Sequence, residues 1–127
     1  MATAKLDPKF VALVTGGATG YTDIFYKGSY CGYWATGIKH DPGLGWLAFE
    51  VASDRPTPTE DEKSAAIASW LAREEVPEGF LRFDHGAAAR GFRYGVERWG
   101  AQWFGEGDGD RYDAAVQYGV LGEVRYG

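Results

Sequence analysis

The chain has 127 residues, with 13 Lys and Arg against 18 Asp and Glu for a formal charge of −5, a size that suits one domain with its own core. A composition 45% hydrophobic and 24% charged excludes wholesale disorder. The single Cys, Cys31, excludes an internal disulfide framework and any multi-thiolate zinc site. No apolar run approaches a membrane span and Met1–Phe10 lacks a signal-peptide apolar stretch, so a soluble cytoplasmic protein is expected. The departures from average are 16% aromatic residues and 19 glycines.

The pattern changes period once. Residues 10–52 read as β-rich, 53–58 as a polar, proline-bearing hinge and 59–127 as helical, all within one domain. Phe10–Thr15 is an apolar strand-like run, and Tyr21–Lys27 alternates aromatic and polar residues. Tyr30–His40 reads as a third strand, the turn Asp41-Pro42-Gly43-Leu44-Gly45 follows, and Trp46–Ala52 is the fourth. Short connections make these an antiparallel meander. Thr59 opens a helix with capping-box spacing to Glu62, and Val76-Pro77-Glu78-Gly79 stops it. Along it, Ile67, Trp70 and Leu71 mark the apolar face. Phe80–Phe83 suits a short strand. Asp84 caps a second helix reaching Phe104, with Phe92, Val96, Trp99 and Trp103 as its core stripe, and Asp110 caps a third. Val120–Tyr126 fits helix or strand. The expected fold is therefore α+β: a four-stranded antiparallel meander followed by three helices packed on one face. Gly91, Gly95, Gly119 and Gly122 in the helical half imply close helix–helix approach, with Trp99 and Trp103 filling the space alongside.

Ala12-Leu13-Val14-Thr15-Gly16-Gly17-Ala18-Thr19-Gly20 resembles the opening of short-chain dehydrogenases. That resemblance implies a strand, a phosphate-binding turn and a helix whose N-terminus takes a cofactor pyrophosphate. It stops after nine residues: Thr22 replaces the last glycine, and Tyr21–Lys27 is β-branched and aromatic. No tyrosine is followed four residues on by lysine, and the chain has about half the usual length of such enzymes. The turn is read as a hairpin and no cofactor is expected.

Three further constellations carry potential chemistry. Cys31 and His40 lie nine positions apart on one expected strand, too far to act as a nucleophile–base pair, so Cys31 reads as core. The acidic loop Glu106, Asp108, Asp110 and Asp113 lacks the glycine and glutamate of an EF-hand, and no metal is expected. The only histidines stand in the adjacent pairs His40-Asp41 and Asp84-His85. If one imidazole lies in a pocket beside a second polar group, these pairs would serve a small enzyme or a ligand-binding protein. Arg90 and Arg93 would then hold an anionic substrate.

Charge favours a different function. Residues 50–84 carry a net −5, centred on Glu60, Asp61 and Glu62, while the flanking segments are close to neutral. With no basic run, direct nucleic-acid binding is disfavoured, and an acidic stretch suits a basic protein surface. Alternation along the strands sends Leu47, Phe49 and Val51 toward the helices. That leaves Trp46, with Tyr21 and Phe25, on an aromatic face open to a partner. The leading expectation is a small acidic binding protein that acts through protein–protein contact without catalysis of its own. Phage or mobile-element proteins that block host nucleic-acid machinery have this profile.

Overall fold

The computed structural model describes residues 7, 8, 10, 11, 34–41, 43–51, 54–106 and 109–126. It is an α+β fold built on a three-stranded antiparallel sheet. Strands β1 (Ala35–Asp41), β2 (Gly45–Glu50) and β3 (Phe80–Phe83) lie in the order β1-β2-β3. Helix α1 (Glu60–Leu71) connects β2 to β3. Helix α2 (His85–Trp99), a 3₁₀ turn (Trp103–Glu106) and helix α3 (Gly109–Leu121) follow. The register sets His40 opposite Trp46 and Trp46 opposite Phe83, one row across all three strands. The two later expected strands and the short strand Phe80–Phe83 correspond to β1, β2 and β3. Of Phe10–Thr15, Phe10 and Val11 are helical, with the Val11 amide donating to the Asp7 carbonyl at 3.0 Å. The rest of that run, Tyr21–Lys27 and Cys31 lie outside the described residues.

The β1–β2 turn is closed by Asp41, whose Oδ1 accepts from the Gly43 and Leu44 amides at 2.8 and 3.1 Å. Gly45 holds φ at +94°, and a Cβ there would stand 2.0 Å from the Phe83 carbonyl oxygen, so this corner admits only glycine. Two of the three expected N-caps, Thr59 and Asp84, are formed. Thr59 Oγ1 accepts from the Glu62 amide at 3.1 Å while Glu62 Oε1 accepts from the Thr59 amide at 2.9 Å. Asp84 Oδ1 accepts from the Ala87 amide at 2.8 Å.

The helices do not share one face of the sheet, and this corrects the expected architecture. Every residue of β2 is buried. Trp46 and Ala48 join Phe83, Phe92, Trp103, Ala115 and Val116 under α2 and α3. Leu47 and Phe49 join Phe80, Ala66 and Trp70 under α1. β2 is apolar at both parities, so a helix layer is needed on each side. The α1 layer is thin: only Ala66 and Trp70 of its twelve residues are buried, and Leu71, expected to face inward, is 50% exposed. Val51 lies beyond β2 and is 42% exposed.

On the other side α2 and α3 pack closely. A Cβ on Gly91 would lie 2.4 Å from the Ala115 carbonyl oxygen, and one on Gly119 would lie 2.2 Å from that of Ala87. That contact compensates the ~1 kcal/mol each glycine costs in a helix interior. Helix α2 ends at Trp99 rather than Phe104, and Gly100, at φ +99°, turns the chain. Trp103 therefore leaves the expected helical stripe and folds back over Gly95. Helix α3 begins at Gly109, with Asp110 inside its first turn, and ends at Leu121, so residues 122–126 are neither helix nor strand.

A polar network seals this layer. Asp113, grouped in sequence with the acidic loop, is buried on α3 and accepts from Trp34 Nε1 at 2.7 Å and Gln117 Nε2 at 2.9 Å. Gln117 is fully buried. Its Oε1 accepts from the Arg125 and Tyr126 amides at 2.8 and 2.7 Å, and its Nε2 also donates to the Tyr126 carbonyl at 2.8 Å. The side-chain amide thus pairs with residues 125–126 as a strand would. Buried Glu50 receives Arg125 Nη1 at 2.7 Å and the Tyr126 hydroxyl at 2.6 Å, while the Tyr126 ring stacks on Trp34. Among the described residues no helix is long and apolar enough to cross a membrane.

Candidate functional site: a cationic pocket at the start of α2

A pocket of about 300 Å³ opens where three elements end. It is lined by Gly43 and Leu44 of the hairpin turn, Trp70 and Arg73 at the end of α1, and Arg82, Asp84, His85 and Gly86 where β3 passes into α2. In β3, Arg82 shares the α1 side of the sheet with Phe80, opposite Leu47. That alternation carries a guanidinium to the mouth of the α1 layer.

Arg73 arrives by a different route. The Glu74 amide donates to the Ser69 carbonyl at 2.8 Å and the Arg73 amide to the Trp70 carbonyl at 3.1 Å. These are the two bonds of a Schellman motif, and its left-handed position is usually glycine. Here Arg73 occupies it at φ +61°, the only non-glycine residue with positive φ among those described. A side chain in that region costs about 1–2 kcal/mol. The local backbone favours glycine, yet the chain places a cation there and directs it to the pocket wall.

Neither arginine has an anionic partner among the described residues, and Arg82 Nη2 is buried without a hydrogen bond there. At the start of α2, Asp84 satisfies the Ala87 amide through its side chain and the Ala88 amide through its carbonyl. The His85 and Gly86 amides have no partner among the described residues, and the helix dipole adds positive potential there. The pocket combines two guanidinium groups, an imidazole and a helix N-terminus against one carboxylate. A smaller cleft of about 120 Å³, lined by residues including Ile38, Phe49, Arg55 and Lys63, lies elsewhere. There Arg55 Nε is also buried without a partner, and Lys63 pairs with Glu60 at 3.3 Å.

The residues singled out from the sequence separate. Asp84 and the exposed His85 line the pocket. His40 does not; its ring lies 5.0 Å from that of Trp46, and Asp41 is spent on the hairpin turn beside the pocket. Arg90 donates Nε to the Gly119 carbonyl at 3.0 Å, and Arg93 is exposed on α2; neither lines the pocket. Trp46 is 6% exposed, which removes it from any open aromatic face, because α2 and α3 cover that side. Tyr21 and Phe25 lie outside the described residues. Glu60, Asp61 and Glu62 are exposed in the first turn of α1. Glu62 is held below the ordinary carboxylate range, chiefly by the Thr59 amide it accepts from.

Sequence reasoning missed Arg73 and Arg82. Their signals were present: a lone charge inside the apolar run Phe80-Leu81-Arg82-Phe83, and an arginine where a helix C-terminus favours glycine. Comparison with protein families, with curated proteins and with solved structures finds no match, so the reading of this site rests on its own geometry.

Proposed function

We propose that the protein binds a small anionic ligand in the pocket formed by Arg73, Arg82, Asp84 and His85. The observation that carries this reading is the pair Arg73 and Arg82, two guanidinium groups that line one pocket and form no ion pair among the described residues. Two cations in one pocket wall without a counter-ion favour an anionic occupant. The volume lies at the lower end of ligand sites, which suits a metabolite-sized molecule. The test is a titration with inorganic phosphate, sulfate and citrate, followed by amide NMR. Saturable shifts are expected at Arg73, Arg82, His85 and Gly86, and Arg82→Gln weakens them at least about tenfold, as loss of a charge-assisted bond requires. Shifts that do not saturate, or that spread over all surface cations, sink the reading.

A second reading, contact with a basic protein surface, is supported by the exposed Glu60 and Asp61 in the first turn of α1. Its test is charge reversal at both positions. An association that survives the reversal at low salt does not use this turn.

A further inference from the structure

From the composition of the pocket wall we infer that the occupant is a phosphate monoester of a small hydroxylated carbon skeleton, rather than a carboxylic acid. This rests on the anion-binding reading above and narrows it. Arg73 comes from the end of α1 and Arg82 from β3, while the unpartnered His85 and Gly86 amides come from the start of α2. Donors that converge from three elements suit a tetrahedral group with three terminal oxygens. A planar carboxylate offers two and is satisfied by one bidentate arginine. Gly86 presents no side chain at the helix start, and the position a Cβ would take lies 3.3 Å from Asp84 Oδ1 and 3.4 Å from Arg90 Nη1.

Asp84 supplies the second half of the specificity. One of its oxygens takes the Ala87 amide, yet its carboxylate still stands in the same wall as the two arginines. A ligand that is anionic throughout meets repulsion there. A ligand with a hydroxyl next to its phosphoryl group donates to that carboxylate instead. The pocket volume of about 300 Å³ holds a skeleton of a few carbons.

The experiment is calorimetric titration of the full chain with glycerol 3-phosphate, inorganic phosphate, succinate and a phosphoserine peptide. Glycerol 3-phosphate is expected to bind at least about tenfold more tightly than succinate, the scale of one charge-assisted hydrogen bond, and more tightly than inorganic phosphate. Asp84→Asn keeps a good N-cap and removes the negative acceptor. It is expected to strengthen inorganic phosphate and bring the two phosphate ligands within about threefold, with an unchanged thermal midpoint showing that the fold is intact. Succinate binding as tightly as the ester overturns the phosphate assignment and leaves the anion pocket standing. An ester preference untouched by Asp84→Asn overturns the role of the hydroxyl. Tighter binding of the phosphoserine peptide overturns the small-molecule assignment. Absence of saturable binding by any of the four overturns this inference and the anion pocket together.

Discussion

The two faces of β2 treat charge in opposite ways. On the α2–α3 side the buried polar groups Glu50, Asp113 and Gln117 are each matched by named partners, and the tail through Tyr126 completes the set. On the α1 side a thin layer leaves two arginines facing a pocket without counter-ions among the described residues. A satisfied network fixes one conformation, whereas an unsatisfied donor set has free energy in reserve for a ligand. On the proposed reading, one strand carries stability on one face and binding capacity on the other.

The largest test of this contrast is Gln117→Leu. It removes the Gln117 bonds to the Arg125 amide, the Tyr126 amide and carbonyl and one oxygen of Asp113, and it should cost about 3 kcal/mol by denaturant titration, since each buried hydrogen bond lost costs ~1–3 kcal/mol. Anion binding at the opposite face should survive in the fraction that stays folded. If the loss is below about 1 kcal/mol, the scale of an ordinary exposed bond, the network is not what holds that layer.

A smaller effect is set by pH. The hydrogen bond to Glu50, helped by burial, raises the Tyr126 phenol above its ordinary value. A folded-state value above the unfolded ~10 means that this contribution is fully present below pH ~10 and is lost as pH rises through the folded-state value. Tyr126→Phe should lower stability by about 1–2 kcal/mol near neutrality and flatten the alkaline fall. An unchanged alkaline profile in the variant would place the sensitivity in another group.

The smallest effect has the opposite sign. Arg73→Gly relieves the left-handed strain and should raise stability by up to about 1 kcal/mol while weakening phosphate binding. If the variant gains stability and binds as before, Arg73 is not part of the anion site.

What the sequence disclosed follows from how local each interaction is. The caps at Thr59 and Asp84 and the hairpin at Asp41 bond within three residues, so spacing alone reveals them. Leu47 and Phe49 face a helix as expected, but the Trp46 face is covered rather than open, because alternation cannot show that both parities are buried when both are apolar. Trp103 kept a helical period past Gly100, where the backbone turns away. Asp84 and His85 were recognisable as a pair, but Arg73 and Arg82 join them only through tertiary structure. Gln117 and Asp113 read as ordinary polar residues of a helix, and nothing in their spacing discloses a partner 79 positions away at Trp34.

The docking of residues 125–126 has a consequence for the order of assembly. Glu50 meets Arg125 and Tyr126 across separations of 75 and 76 positions. Until those residues have been synthesised, a buried Glu50 carboxylate has no donor from the tail, and early closure of that side is penalised. The hairpin, α1 and β3 are contiguous between Ala35 and Phe83 and can assemble first. Closure of the α2–α3 layer over Glu50 is therefore tied to the docking of residues 125–126, which makes that docking a late step of folding.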